Sequence, residues 1–357
     1  MTVPAISVVI PTYNRAEFLG ESIDSVLAQD FGPYEVIVVD DGSADATPEV
    51  LARYGDRIRV IRQANAGLPT ARTVGIRAAA SNLIALHDSD DVMLAGRLRA
   101  QAEFMEAHPE VAAVSGNLVV QGAEGIDYLE RAGVDFRGSP YVILDRPFEK
   151  MLTKNFMADP ATTIRRDRFL EIGGYDLSLL SGCDYDLWLR MARVWPLACM
   201  KQPVTWYRRH GSNISETPMS IECRLRIYDR ALRYQEPIDP AVLRRVKDRL
   251  RARLGQYIRN SLTEPLQPDW RARANQFAVH LARPQRILIR VMTLCPRVVA
   301  AVARRIKRGM QGLGRTGDGG VSSGEPRQQG GSTPGGDGGP ARTDKRQPNH
   351  DDMDAAT

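Results

Sequence analysis

The sequence has few cysteines, and none of them forms a closely spaced pair. The four are Cys183, Cys199, Cys223 and Cys295, spread through a chain of 357 residues without a C-x-x-C motif. This spacing argues against a zinc site or a disulfide framework, and a reducing compartment is the simple interpretation.

Long hydrophobic runs are also absent. No apolar stretch approaches the roughly 20 residues that a bilayer-spanning helix needs. Residues 1–14 lack the basic region and the apolar region of a signal peptide. We therefore expect a cytoplasmic protein.

Two common phosphate-binding signatures are missing. The chain contains neither G-x-x-x-x-G-K-[ST] nor G-x-G-x-x-G, so neither a P-loop NTPase nor a standard dinucleotide-binding dehydrogenase fits. The net charge of +5 is too small to indicate a nucleic-acid partner unless the basic residues cluster. We expect no nucleic-acid partner.

The first hundred residues alternate β-rich apolar runs with helical patterns. The apolar runs begin at about residues 5, 34, 57 and 82. This alternation predicts an α/β domain with a mainly parallel sheet and right-handed crossovers. We expect the first strand to stop at Pro11, and Asn14 with Glu17 to form a capping box for the first helix.

Composition changes along the chain predict three regions. Residues 1–218 form an α/β domain, and residues 219–313 form a basic helical region. Residues 314–357 are rich in Gly, Pro, Ser and Gln, and a segment that buries so little apolar surface is expected to be disordered.

Two of the predicted strands end in carboxylates. Asp40 and Asp41 follow the second strand, and the sequence DSDD at residues 88–91 follows the fourth. Ligands of open α/β sheets bind outside the carboxyl ends of the strands. One acidic pair alone more often caps a helix or lies in solvent, but two acidic strand ends favour a binding site.

The spacing within DSDD predicts how these acids are used. In an extended chain Asp88 and Asp90 share one side, with Cα atoms roughly 6.6 Å apart, and Asp91 faces away. That distance is wide for two ligands of one small ion. One acid is therefore expected to bind a metal directly, while the other acts through water or on a ribose. Hard oxygen ligands favour Mg²⁺ or Mn²⁺.

Four stretches resemble, in order and separation, the blocks of family-2 glycosyltransferases with the GT-A fold. They are SVVIPTYNR, EVIVVDDGSADAT, NAGLPTARTVGIRAA and ALHDSDD. The resemblance covers about residues 5–215. It implies the GT-A fold, an inverting transfer from a nucleoside diphosphate sugar, and Mg²⁺ or Mn²⁺ as cofactor. It also divides residues 1–218 into a nucleotide-sugar half, 1–92, and an acceptor half, 93–218.

The resemblance also implies roles for individual residues. The nucleotide-sugar site would consist of Pro11, Thr12, Tyr13, Asp40, Asp41, Arg72 and Asp88. The metal would be held by Asp90. His210 is the candidate for a further metal ligand or phosphate contact, although a lone loop histidine is as often structural.

The stretch GGYDLSLLSGCDYDLWLRM, residues 173–191, resembles the family block that usually reads Glu-Asp before an amphipathic helix. This match makes Asp184 the general base, with Cys183 in place of the usual Glu. One carboxylate suffices for a direct attack that inverts the anomeric centre. Asp186 is expected to point elsewhere as a first-turn helix acid, and His87 to pack as a strand-end side chain.

The basic segment 285–310 contains no acid and has two interpretations. It lies on an anionic membrane face, or it packs its apolar stripe on the catalytic domain with its arginines in solvent. The first would make the cytoplasmic protein peripheral at the inner face of the membrane.

The motif Q-x-x-R-W, typical of processive polysaccharide synthases in the same superfamily, is absent. Its absence indicates non-processive transfer to a glycan or a lipid-linked glycan. A UDP-sugar is the default donor because it is the commonest donor in the family.

Two other functions compete with this hypothesis. A sugar nucleotidylyltransferase would need a Gly-rich, basic phosphate loop near the N-terminus, and PTYNRAEFLG does not supply one. A catalytically degenerate nucleotide-sugar-binding or scaffold protein is favoured by Cys183 and by Thr73, which stands where the family often has Asn.

Overall fold

The computed structural model describes residues 3–123, 125–179, 181–211, 218–234, 237–263 and 270–281, together with 283, 285–286 and 289–290. The predicted tail, 314–357, lies outside the described residues. So does the basic segment 285–310, apart from Gln285, Arg286, Ile289 and Arg290.

Within the described residues, nine strands form one sheet. They are β1 (Ile6–Thr12), β2 (Tyr34–Asp40), β3 (Arg59–Arg62), β4 (Leu83–Leu86), β5 (Val92–Met93), β6 (Ala113–Val120), β7 (Tyr141–Leu144), β8 (Thr162–Arg165) and β9 (Leu197–Tyr207). The helices are α1 (Ala16–Leu27), α2 (Thr47–Ala52), α3 (Leu68–Ala78), α4 (Arg97–Ala107), α5 (Tyr128–Arg131), α6 (Phe148–Thr153), α7 (Arg166–Glu171), α8 (Cys183–Ala192), α9 (Pro218–Leu232), α10 (Pro240–Thr263) and α11 (Trp270–Phe277).

The strand order is β3-β2-β1-β4-β8-β6-β9-β5, and β7 pairs with β9. The strands β3, β2, β1 and β4 run parallel, which confirms the expected parallel sheet for the first part of the chain. The strand β8 runs antiparallel to β4 and β6. The carboxyl ends of β1, β2 and β4 therefore meet at one edge of the sheet.

The first strand is longer than expected. It continues through Pro11 to Thr12, so the prediction that it stops at Pro11 is wrong. On one side of β1 the pairing with β4 ends at Val9, opposite Leu86, while the pairing with β2 continues. Pro11 thus lies where β1 has a single neighbour, the position in which a strand tolerates proline.

The predicted capping box is also wrong. Asn14 has a left-handed backbone with φ of 50°, and its Oδ1 accepts a hydrogen bond from Ala44 N at 2.9 Å. The N-terminus of α1 is capped instead by Asp45, whose Oδ2 accepts from Ala16 N at 3.1 Å. The loops that follow β1 and β2 are therefore tied to each other.

The sheet has a core on each face because alternate residues of its strands point in opposite directions. Val8 and Ile10 pack in one core with Leu19 and Ile23 of α1. The other core contains the opposite face of the same strands and residues from the C-terminal helices, namely Val9, Ile37, Ile76, Trp188, Leu225, Val246, Leu254, Phe277 and Ile289. The helices α9–α11 thus share a core with the sheet.

A buried arginine, Arg97, links neighbouring elements in the middle of the sheet by hydrogen bonds. Arg97, at the start of α4, is fully buried and donates to Leu86 O at 2.7 Å and to Thr205 Oγ1 at 3.0 Å. It also donates to the carbonyl of Pro160. These contacts fix the end of β4 against the 3₁₀ turn Asp159–Ala161.

The helix α3 packs closely on the sheet at Gly75. A Cβ atom at this position would lie 2.5 Å from Val9 Cγ1 and 3.1 Å from Val39 Cγ2. A side chain here would have to displace Val9 of β1 and Val39 of β2, both of which are fully buried.

We predict that Gly75→Ala lowers the free energy of unfolding by about 1–3 kcal/mol, because the overpacking outweighs the gain in helix propensity. Denaturant unfolding followed by circular dichroism measures the change. The matched control is Gly20→Ala in α1, where a Cβ would meet Tyr54 Oη at an ordinary 3.7 Å. A stabilised Gly75→Ala protein would contradict the close packing.

Candidate functional site

A cavity of about 1070 Å³ opens at the carboxyl ends of β1, β2 and β4. The sequence-predicted residues that line it are Pro11, Thr12, Tyr13, Asp41, Arg72, Asp88, Asp90 and Asp184. Asp40 and His210 are not among the lining residues. The volume is slightly above the usual range for small-molecule sites, about 300–1,000 Å³.

Asp41 holds the loop that leads into α3. Its Oδ1 accepts from Gln63 Nε2 at 2.7 Å and from Ala66 N at 2.9 Å, and its Oδ2 accepts from Gly67 N at 2.8 Å. A carboxylate has about four acceptor positions, so these bonds leave it little further capacity. Its side chain nevertheless forms part of the cavity wall.

Asp40 lies apart from the other predicted residues. Its side chain is 1% exposed and accepts from Ser43 N at 2.9 Å. Arg62 lies 3.4 Å from its second oxygen. Neighbouring strand residues point to opposite faces, so the structure separates Asp40 from Asp41 and gives it a contact within the loop after β2.

Residues 88–91 form a turn, so the expectation of an extended chain is wrong. Asp91 N donates to Asp88 O at 3.2 Å. Arg208 secures the turn by donating from its backbone N to Asp91 Oδ1 at 3.0 Å and from its Nε to Asp90 O at 2.9 Å. The turn brings Asp91, which was expected to face away, beside Asp88 and Asp90.

These three carboxylates form a group suited to a divalent cation. One oxygen from each of Asp88, Asp90 and Asp91 lies within 4.8 Å of the others. Asp91 Oδ2 is buried and accepts no hydrogen bond. Burial, together with Asp88 and Asp90, holds the pKa of Asp91 well above its usual range. A hard cation would relieve this repulsion, and carboxylate oxygens are the ligands that Mg²⁺ and Mn²⁺ prefer.

His210 reaches this group from the end of β9. Its Nε2 lies 3.0 Å from Asp90 Oδ2, and its ring stacks on Phe18 at a centroid distance of 5.0 Å. Arg15 Nε lies 3.5 Å from the same carboxylate oxygen. The structure therefore brings His210 to Asp90, although His210 does not line the cavity itself.

Arg72 joins two acids, one of which sequence reasoning missed. Its guanidinium lies 2.5 Å from Asp88 Oδ1 and 2.5 Å from Asp159 Oδ2. Burial alone would lower the pKa of Arg72, but Asp159 and Asp88 raise it well above its ordinary value. Tyr175 Oη also donates to Asp159 Oδ2 at 2.8 Å. The stretch MADPAT around Asp159 matches no motif that would have revealed this contact.

Asp184 lies in the first turn of α8 and lines the same cavity. Its neighbour Cys183 is buried and carries a free thiol. Asp186 points away from the cavity, as expected, and pairs with Arg190 at 2.8 Å and with Arg230 at 2.7 Å. The expected packing of His87 is also confirmed, since its side chain is buried.

The C-terminal helices contribute to the cavity, which the sequence did not predict. Arg224 and Tyr228 of α9 line it, together with Arg249, Ala252, Arg253 and Gln256 of α10. Lys154, at the end of α6, lies in the same wall. The distance of these residues from the strand-end motifs in sequence explains why no pattern linked them.

The chain has relatives among known sequences. Residues 7–173 match the model of Glycosyl transferase family 2. An uncharacterized glycosyltransferase of Rickettsia felis is 29% identical over 204 residues, which are 54% of this chain and 32% of the relative. EpsE of Bacillus subtilis, a putative glycosyltransferase, is 31% identical over 52% of this chain and 66% of its own length. The succinoglycan biosynthesis protein ExoO of Rhizobium meliloti is 42% identical over 34% of this chain and 36% of its own.

Solved structures share the fold. TarS of S. aureus, residues 1–349 in complex with UDP, has a TM-score of 0.59 and 17% identity, covering 90% of this chain and 95% of that one. The mannosyltransferase PcManGT of Pyrobaculum calidifontis, in complex with GDP-Man and Mn²⁺, has a TM-score of 0.52 and 18% identity, covering 86% and 88%. These likenesses show the GT-A fold that the sequence predicts.

We predict that Asp159→Asn lowers the free energy of unfolding by about 2–4 kcal/mol, because the buried Arg72 loses one of two carboxylates. Urea unfolding provides the measurement. The control is Asp135→Asn, which removes an exposed partner of Arg137 and should change stability by at most about 0.5 kcal/mol. Equal effects of the two substitutions would show that Arg72 does not depend on Asp159.

Proposed function

Because the chain belongs to glycosyl transferase family 2 through its residues 7–173, we propose that it is an inverting, non-processive glycosyltransferase. It moves a sugar from a nucleoside diphosphate sugar to a hydroxyl of a glycan or lipid-linked glycan. One observation carries this proposal, which is that a single cavity is lined by the strand-end acids Asp41, Asp88 and Asp90 and by Asp184 of α8.

The donor occupies the sheet end of the cavity in this proposal. Pro11, Thr12 and Tyr13 line that end. Tyr13 is 46% exposed, so its ring is available to stack on the nucleobase. A UDP-sugar is the expected donor. The likeness in fold to TarS, which has been solved with UDP-GlcNAc, supports this choice.

A divalent cation fits the turn at residues 88–91. Asp90 and His210 would hold it, with Asp88 beside the nucleotide sugar, and Mg²⁺ or Mn²⁺ suits this donor set. When bound, the cation acts as a Lewis acid that neutralises charge on the leaving diphosphate. Arg72 keeps Asp88 in place from the other side.

Asp184 is the general base in this mechanism. The acceptor oxygen forms a bond to the anomeric carbon while the bond from that carbon to the diphosphate oxygen breaks. The hydroxyl proton passes to the carboxylate of Asp184, and the electron pair leaves with the nucleoside diphosphate. This single displacement inverts the anomeric configuration and needs one carboxylate.

The location of the enzyme in the cell stays a prediction. Among the described residues, no helix combines the length and the apolar character needed to cross a bilayer. The segment 285–310, which we predict either to contact the inner face of the membrane or to pack on the domain, lies mostly outside the described residues.

We predict that Asp184→Asn lowers the rate of sugar transfer by about 10²–10⁴-fold, the usual contribution of a general base. Release of the nucleoside diphosphate from a panel of donor sugars, with and without added glycan acceptors, measures the rate. Asp167→Asn in α7, which lies outside the cavity lining, is the control. Transfer by Asp184→Asn at the wild-type rate would remove Asp184 from this role.

We predict that UDP with Mn²⁺ raises the unfolding temperature and that UDP with EDTA does not. A ligand at 100 times its Kd adds about 2.7 kcal/mol of stability, which is enough for a visible shift. GDP and dTDP serve as comparison ligands under the same two conditions. A shift with GDP or dTDP but not with UDP would identify a guanosine or thymidine diphosphate sugar as the donor. A shift that persists in EDTA would contradict the need for a cation.

A further inference from the structure

Basic side chains from the C-terminal helices and the end of α6 form one wall of the cavity. We use the term basic wall for Lys154, Arg224, Arg249 and Arg253. The acidic lining residues come from other elements, namely the strand-end loops, the 3₁₀ turn before β8 and the first turn of α8. Arg15 and Arg72 also line the cavity, but they lie among these acids, Arg15 at 3.5 Å from Asp90 and Arg72 at 2.5 Å from Asp88 and Asp159. Within the described residues, those that α9 and α10 contribute to the lining include no carboxylate.

The packing of α10 directs its arginines into the cavity. Arg249, Arg253 and Gln256 recur at helical spacing and share one face of the helix. An adjoining face is fixed in the core through Val246, Leu250, Leu254, Tyr257 and Ile258, all fully buried. On α9, Arg224 and Tyr228 are one turn apart and line the same wall. The positions of these side chains therefore follow from the fold.

The acids of α9 and α10 bind cations outside the wall. Glu222 pairs with Arg273, and Asp229 lies 3.1 Å from Arg233 and 2.6 Å from His280. Asp248 of α10 pairs with Arg251 at 3.1 Å. The carboxylates carried by these two helices are therefore directed to other partners, and the face that they present to the cavity is basic.

The basic wall lies beside the proposed general base. Tyr185 follows Asp184 directly and lines the cavity with it. Burial, together with Tyr228, raises the pKa of Tyr185 well above its usual range, and the positive charges of Arg249 and Arg224 oppose this rise only in part. Both arginines are thus within electrostatic reach of the first turn of α8, where an acceptor hydroxyl would meet Asp184.

We propose that the basic wall binds an anionic group of the acceptor, a phosphate or a carboxylate, while the acceptor hydroxyl faces Asp184. Guanidinium groups bind both anions through paired hydrogen bonds. Clustered cations in a concave site also raise the local concentration of anions. This inference rests on the proposed function, because it names the acceptor class of the same site.

The test uses the full chain loaded with UDP and Mn²⁺, so that the donor site is occupied. Glucose 6-phosphate, glucuronic acid and geranyl phosphate are titrated separately by calorimetry, with glucose as the neutral probe. These arms distinguish a sugar phosphate, a sugar carboxylate and a lipid phosphate. We expect at least one anionic probe to bind 10-fold or more tighter than glucose, and its affinity to fall as salt is added.

The variant Arg249→Gln/Arg253→Gln should weaken the preferred anion at least 10-fold. The matched control is Arg245→Gln/Arg251→Gln, which removes the same charge from the same helix outside the cavity lining and should change the affinity less than twofold. Arg224→Gln tests the wall from α9 in case the double variant does not fold. No preference for an anion, or equal losses in wall and control variants, would overturn the inference.

Titration of UDP itself separates this inference from the proposed function. Failure of UDP, GDP and dTDP to bind the wild-type chain would count against the donor site, and the four probes would then be compared on the unloaded chain. Loss of UDP binding in Arg249→Gln/Arg253→Gln, with the anionic probes unaffected, would assign the wall to the donor and overturn the acceptor role.

Discussion

Arg72 holds the candidate site together where like charges would otherwise separate it. Asp88 lies just after the fourth strand, and Asp159 begins the turn before the eighth. The buried guanidinium pairs with both at 2.5 Å. A buried carboxylate without a cation is costly, so the two loops approach each other only with Arg72 between them. One partner belongs to the predicted nucleotide-sugar half and the other to the acceptor half. The ion pair that offsets the repulsion thus also sets the spacing of the two binding surfaces.

The remaining acids at this edge shape the loops before they can meet any ligand. Asp41 fixes the backbone at Ala66 and Gly67, where α3 begins, and Asp45 caps α1 from another loop. Asp40 holds the backbone at Ser43. Of these three acids, Asp41 serves two purposes, since it organises a loop and also lines the cavity, whereas Asp40 and Asp45 are not lining residues.

The parts of the fold and site that follow from local pattern could be predicted from sequence. Strand and helix alternation predicted the parallel sheet, and the rule for strand ends predicted that Asp41, Asp88 and Asp90 share one edge. Arg72 was placed near them by the family resemblance alone. The cap of α1 could not be predicted because Asp45 reaches Ala16 from 29 positions away. Asp159 and the arginines of α10 depend likewise on how distant elements pack, and no short motif carries that information. The turn at 88–91 was missed because a hydrogen bond between Asp91 and Asp88 replaces the extended backbone.

The carboxylates and the basic wall lie on different elements around the cavity, so its two sides differ in charge. The negative charge of Asp184 contributes to the raised pKa values of Asp88 and Asp159. The next residue, Tyr185, interacts electrostatically with Arg249 and Arg224. The first turn of α8 is therefore the junction between the two ends. An anionic acceptor that entered from the acidic end would be repelled by the same carboxylates that suit a cation and its diphosphate. Under the proposed acceptor role, entry along the basic wall avoids that repulsion and brings the acceptor hydroxyl to Asp184 from another side than the donor. The donor diphosphate is itself anionic, so at the acidic end it depends on a cation between it and the carboxylates.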